Sequence, residues 1–89
     1  TDEDPEVTSQ LDVSLPKELK KRRFTGRILV QVTVEVDGSQ KETLLRGSGD
    51  RDIDKLVLQT LSRWKWRPAC RDGEKVRSTK KFQYDIPVD

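Results

Sequence analysis

An α+β fold is predicted for this chain: a three-stranded antiparallel sheet with two helices on one face, in the order α-β-β-α-β. Three observations predict it. Aliphatic residues alternate over 28–36, apolar residues recur every three or four positions over 53–64, and alternation returns over 76–86. Period two marks a strand with one buried face, and a period near 3.6 marks a helix with one.

The first helix is expected over Pro16–Arg23. Proline suits a first helical turn, and Ser14 stands where a cap would. Leu15, Leu19 and Phe24 then face inward, Lys20–Arg23 lie at the negative end of the helix dipole, and Gly26 stops it. Ile28, Val30, Val32, Val34 and Val36 define the clearest strand, and Asp37-Gly38 is a hairpin dipeptide. The return strand, Ser39–Arg46, has only Leu44 and Leu45 as apolar residues and reads as an edge. Asp50 caps a second helix from about Arg51 to Lys65, whose stripe is Ile53, Leu56, Val57, Thr60, Leu61 and Trp64. Pro68 blocks its continuation. After the Asp72-Gly73 turn, Val76, Phe82, Tyr84 and Ile86 share one face of a last strand, which Pro87 ends. Val30, Val32, Val34, Leu61 and Trp64 are the expected core. With Ile28–Val36 in the middle of the sheet, the last strand keeps one open edge.

Residues 1–14 are acidic and weakly apolar, and are expected to be the flexible end of a linker; the domain proper is expected over 15–89. The first twelve residues hold five acids and no base, so all 18 bases and 11 of the 16 acids lie beyond them. A basic domain behind an acidic leader favours anionic partners. No Met occurs, even at position 1, so the chain is expected to be an excised or processed piece, with any anchor or export signal upstream of Thr1. No apolar run approaches the roughly 20 residues that cross a bilayer.

Catalytic chemistry finds little footing. There is no His to act as a base, no phosphate loop and no nucleophile elbow. Asp50, Asp52 and Asp54 resemble a calcium loop only superficially, because Lys55 and Leu61 stand where that loop needs Gly and a carboxylate. Cys70 is the sole cysteine and has no His to activate it. No enzyme, cofactor or metal is expected. Trp64-Lys65-Trp66-Arg67 interleaves aromatics with bases, as nucleic-acid surfaces do. Trp64 lies on the helix stripe and is assigned to the core; for Trp66 both roles stay open.

Residues 26–86 resemble the TonB C-terminal domain family. The resemblance rests on Gly26 opening an alternating strand, Asp37-Gly38, Ser48-Gly49, Ile53-Asp54 opening the second helix, and Asp72-Gly73 followed by Val76. Its most specific part is Arg63-Trp64-Lys65-Trp66-Arg67-Pro68-Ala69. Upstream the chain departs from the family: where well-studied members carry Gln-Pro-x-Tyr-Pro, this chain has Asp12-Val13-Ser14-Leu15-Pro16, and only Pro16 agrees.

The resemblance implies a non-enzymatic periplasmic domain of a protein anchored in the bacterial inner membrane. It implies a parent that works with an ExbB/ExbD-type proton-driven motor and delivers force to outer-membrane TonB-dependent receptors. Their TonB box and plug are the implied partners, in uptake of cargo such as siderophore-bound iron. Capture is by strand addition at an open edge. The implied contact residues are Val76, Arg77, Ser78, Thr79, Lys80, Lys81, Phe82, Gln83 and Tyr84, with Leu15, Pro16 and Lys17 beside them. Arg77, Lys80 and Lys81 favour an acidic partner, and the same bases guard an exposed edge against aggregation. A monomer or weak homodimer is expected. Two alternatives stand beside this reading: a nucleic-acid-binding module using Lys20–Arg23, Trp66 and Arg67, and a TonB-like regulatory or sensory domain with no receptor partner. No nucleic acid is expected under the favoured reading.

Overall fold

The computed structural model describes residues 2–87, and nine elements follow one another there: β1 (Glu6–Ser9), α1 (Lys17–Lys20), β2 (Arg27–Val34), β3 (Gln40–Arg46), α2 (Arg51–Leu61), β4 (Lys65–Arg67), β5 (Ala69–Arg71), β6 (Glu74–Val76) and β7 (Ser78–Asp85). The architecture is α+β. The five expected elements keep their order, and β1, β4, β5 and β6 are additions to it.

Alternation dictates the central strand. β2 turns Ile28, Val30, Val32 and Val34 to one side, where none is more than 1% exposed. Burying each such side chain contributes roughly 1.5–3 kcal/mol, and a slip of one residue would put all four into water. β3 and β7 flank it, both antiparallel, giving the order β3-β2-β7. Against the buried face, α2 lays Ile53, Val57 and Leu61. Asp50 caps that helix: its carboxylate accepts from the amides of Asp52 (3.0 Å) and Ile53 (3.1 Å). Before the cap, Gly47 lies so close to Asp54 that a Cβ there would fall 2.5 Å from its Oδ2. Asp54 in turn accepts from the amide (2.8 Å) and hydroxyl (2.7 Å) of Ser48. The only side chain small enough is therefore present where the loop folds under the helix.

The structure departs from expectation at four places. The second helix stops at Leu61, not Lys65, through the short-range bonds Arg63 N–H to Thr60 O (3.0 Å) and Trp64 N–H to Leu61 O (3.1 Å). The physical reason is the pair of tryptophans. On a helix, residues two apart point to nearly opposite sides; in an extended chain they point to the same side. Extending the chain buries both, Trp64 at 7% exposure and Trp66 at 8%. Trp64 thus reaches the core from the segment leading into β4 and not from the helix stripe.

Next, the first helix is one turn, Lys17–Lys20, with Pro16 and not Ser14 at its N-cap and no side-chain cap bond. None of its four residues is buried, so little packing repays the cost of nucleating it. Then the last strand divides: Val76 belongs to β6, and β7 begins at Ser78.

Lastly, the acidic leader is not a free linker end here. β1 pairs antiparallel with β4, Val13 is 2% exposed and Leu15 5%. Extending residues 65–67 to bury Trp66 creates an unpaired backbone edge, and the leader satisfies it.

The two Asp-Gly pairs make different turns. Between β2 and β3 only Gly38 has positive φ (+88°), and Glu35 closes the loop through Ser39 O at 2.8 Å, a three-residue loop. Between β5 and β6 both Asp72 (φ 52°) and Gly73 (φ 81°) are positive, the two-residue type I′ pattern, with Arg71 opposite Glu74.

Candidate partner-binding edge

Among the described residues, β7 is hydrogen-bonded on one side only, to β2. Which of its backbone groups are free follows from two bonds at the strand ends. The amide of Ile86 donates to Gly26 O at 2.7 Å, and that of Glu35 to Ser39 O at 2.8 Å. Hydrogen-bonded pairs recur at every second residue of an antiparallel ladder. Along the uninterrupted register from Arg27↔Asp85 to Val34↔Ser78, Ser78, Lys80, Phe82 and Tyr84 therefore bond to β2. The N–H and C=O groups of Thr79, Lys81, Gln83 and Asp85 face outward. The Glu35–Ser39 bond agrees: it assigns the odd residues of β2 to β3 and leaves the even ones for β7.

Beneath this edge sits an aromatic cluster. Trp64 stacks on Phe82 with ring centroids 5.7 Å apart and meets Tyr84 edge-on at 5.8 Å; Trp66 lies 6.0 Å from Phe82. The Trp64 indole N–H donates to Leu11 O (2.8 Å), and the Tyr84 hydroxyl accepts from the amide of Val13 (2.9 Å). Burial pushes the Tyr84 phenol above its ordinary pKa; the Val13 bond opposes that shift and Asp12 adds to it. The leader is thus fastened to the strand whose far side is open.

The sheet's other border, β3, is built differently. Its Glu42 points to the same face as Val32, half-buried, with Oε2 enclosed and unpartnered. Desolvation pushes this carboxyl above its ordinary pKa, opposed by a bond from Gln40. A register shift between Leu29 and Val30 further breaks the regularity of the β2–β3 ladder. An inward-facing charge and a bulge are both devices that discourage edge pairing. β7 has no bulge in its register with β2; Lys80, opposite Val32, puts a charge on the same face as Glu42, but unlike Glu42 it stands exposed, as does Lys81 on the other face.

The sequence-derived site residues are distributed as follows. Ser78 to Tyr84 all lie on β7; Arg77 precedes it and holds Glu35 at 3.1 Å; Val76 closes the β5–β6 hairpin. Pro16 and Lys17 are exposed, whereas Leu15 is in the core and offers no surface. Val30, Val32, Val34, Leu61 and Trp64 are all buried together. Sequence reasoning missed Asp85, whose outward backbone extends the edge and whose carboxylate meets Arg27 at 3.1 Å. It also missed Val13, though Val13-x-Leu15 is a period-two pair. The nucleic-acid alternative loses two of its parts: Trp66 is buried, and Arg22 is held between Asp50 (3.3 Å) and Asp52 (2.7 Å), which raise its pKa. Among the described residues no group of three or more Cys, Asp or Glu is arranged to hold a metal, and no helix is long and apolar enough to cross a membrane.

Comparison with known proteins agrees on one relationship. The family described as "Gram-negative bacterial TonB protein C-terminal" matches residues 12–86. Protein TonB of Vibrio cholerae serotype O1 is 29% identical over 68 residues, which are 75% of this chain and 28% of that protein. The chain therefore spans less than a third of the length of the curated relative it matches.

Proposed function

The chain belongs to the family of Gram-negative bacterial TonB protein C-terminal domains, and from that footing we propose that it is a TonB-type periplasmic domain that captures outer-membrane receptors by adding one of their strands to β7. The observation that carries this reading is the outward row of N–H and C=O groups at Thr79, Lys81, Gln83 and Asp85. An extended peptide laid along it gains main-chain bonds at every second residue, and specificity comes from the side chains beside them. Lys80 and Lys81 favour a partner with acids in those places. The TonB box and the plug are the partners under this reading, and an ExbB/ExbD-type motor in the inner membrane acts through the rest of the parent protein. Catalysis forms no part of it: the domain holds a strand and transmits load.

The geometry of a strand addition suits that task. When load runs along two paired strands, several ladder bonds share it at once, and the aromatic cluster under Phe82 and Tyr84 ties β7 to the leader. The test is a titration of isotope-labelled domain with receptor TonB-box peptides or plug domains, following backbone amides. The expected result is shifts concentrated at Thr79, Lys81 and Gln83. If no cognate plug perturbs Val76–Tyr84 while another surface responds, the reading is wrong.

A further inference from the structure

We infer that the backbone of Lys65–Arg71, the run formed by β4, Pro68 and β5, is a second strand-accepting surface, one that takes an acidic extended segment of a partner protein and is occupied here by the chain's own leader. This inference stands apart from the capture proposed at β7, since it concerns other residues and another edge.

The leader sits on this run as a bound peptide would. Glu3 and Cys70 exchange two main-chain bonds, at 2.8 and 2.9 Å, and Val7 lies opposite Trp66 and Glu6 opposite Arg67. These pairings share one antiparallel register from Glu3 to Val7. The same register sets Pro5 opposite Pro68, and both are buried. Neither has an N–H, so the ladder is interrupted at a single rung and resumes beyond it. Side chains add chemical selection. Arg67 pairs with Glu6 and lies 3.5 Å from Glu3, and the Asp2 carboxylate accepts from the amide of Asp72 at 3.0 Å. Lys65, Arg71 and Lys75 are exposed around them. The surface therefore selects an acid opposite Cys70, a residue that spares its N–H opposite Pro68, an acid opposite Arg67 and an aliphatic opposite Trp66.

Two observations make the occupant replaceable. The family match begins at residue 12, so the accepting run lies inside the shared domain and residues 2–9 lie outside it. The charged side-chain part of the closure is also weak. Its ion pairs are between half-exposed side chains, a class that adds little to stability. A tethered segment needs no more than that, because its effective concentration is on the order of millimolar. The leader's Asp2–Pro5 and the Ser78–Thr79 end of β7 also line one cavity of about 480 Å³, so freeing this run opens space beside the start of β7.

The experiment uses the full chain carrying Glu3→Lys and Glu6→Lys, with a labelled synthetic peptide of residues 2–10 as the probe. The double variant is expected to bind the peptide at least tenfold more tightly than the unaltered chain, with amide shifts at Trp66, Arg67 and Cys70. Adding Arg67→Glu is expected to abolish that binding. Equal binding by altered and unaltered chains, or none by a folded double variant, overturns the inference. So does a dimer that forms on concentrating the unaltered chain and is lost with Glu6→Lys, because the run is then an exchange surface between copies. A second measurement needs no variant. The amides of Glu3 and Cys70 are expected to exchange with solvent at least a hundredfold faster than those of Val30 and Val32. Exchange of all four at one rate means that the leader leaves only when the domain unfolds, and the inference fails.

Discussion

The backbone amide of Val13 donates to the hydroxyl of Tyr84 at 2.9 Å, joining the leader to the underside of β7. Val13 is itself 2% exposed, so the bond lies where water competes poorly. Replacing Tyr84 by Phe removes the acceptor and strands the amide. The expected loss is about 1–3 kcal/mol of stability. Amide exchange should quicken over residues 11–15 more than over β2. Chemical denaturation and exchange by NMR measure the two effects.

Trp64 stacks on Phe82, meets Tyr84 and donates to Leu11 O. Trp64→Ala removes all three contacts from a core of few large residues. The domain should lose roughly 3–5 kcal/mol and unfold near room temperature if it is only modestly stable. A thermal midpoint close to that of the unaltered chain would show that the core is elsewhere.

Proline substitutions separate the two sides of β7. Thr79→Pro and Lys81→Pro remove donors that face outward, so the fold should survive while peptide capture weakens. Lys80→Pro removes a donor that bonds to β2, and it should destabilise the domain itself. Circular dichroism melts beside peptide titrations decide the matter. Loss of folding in the first two, with Lys80→Pro tolerated, would invert the assignment of the edge.

Glu42 gives a pH signature. Its folded pKa is raised, so the protonated form fits the fold better; the associated stability is present below the unfolded value and is lost as pH rises through the folded one. Glu42→Gln should therefore raise the melting temperature at pH 7, and the gain should shrink as pH falls through the raised folded value and be gone below the ordinary value of a glutamate. Asp50 runs the other way. The bond from the Ile53 amide lowers its pKa, so the stability it contributes exists above the unfolded value and is lost at lower pH. Asp50→Asn should flatten the acid limb of the stability curve.

Gly47→Ala tests the loop under α2. The new methyl group would meet the Asp54 carboxylate at 2.5 Å and push it from Ser48. A loss of about 1–3 kcal/mol is expected, as for other overpacked sites. Crystallography of the variant would show whether Asp54 has moved.

Local patterning determined the parts of this protein whose neighbours are near in sequence. Ile28–Val34 had to be a strand because its aliphatics alternate, Asp50 had to cap a helix because an apolar stripe follows it, and Asp72-Gly73 had to turn because both positions accept positive φ. The family resemblance was legible for the same reason, being carried by short motifs in order. Tertiary structure alone decided where Trp66 goes. Helical propensity favoured continuing to Lys65, but the burial of two large aromatics on one side outweighed those last few residues of helix. That choice exposed the backbone of Lys65–Arg71, and a leader 61 residues away in sequence from Arg67 came to cover it. No periodicity within residues 1–14 announces such a pairing, because the partner that makes it favourable exists only once the core has formed.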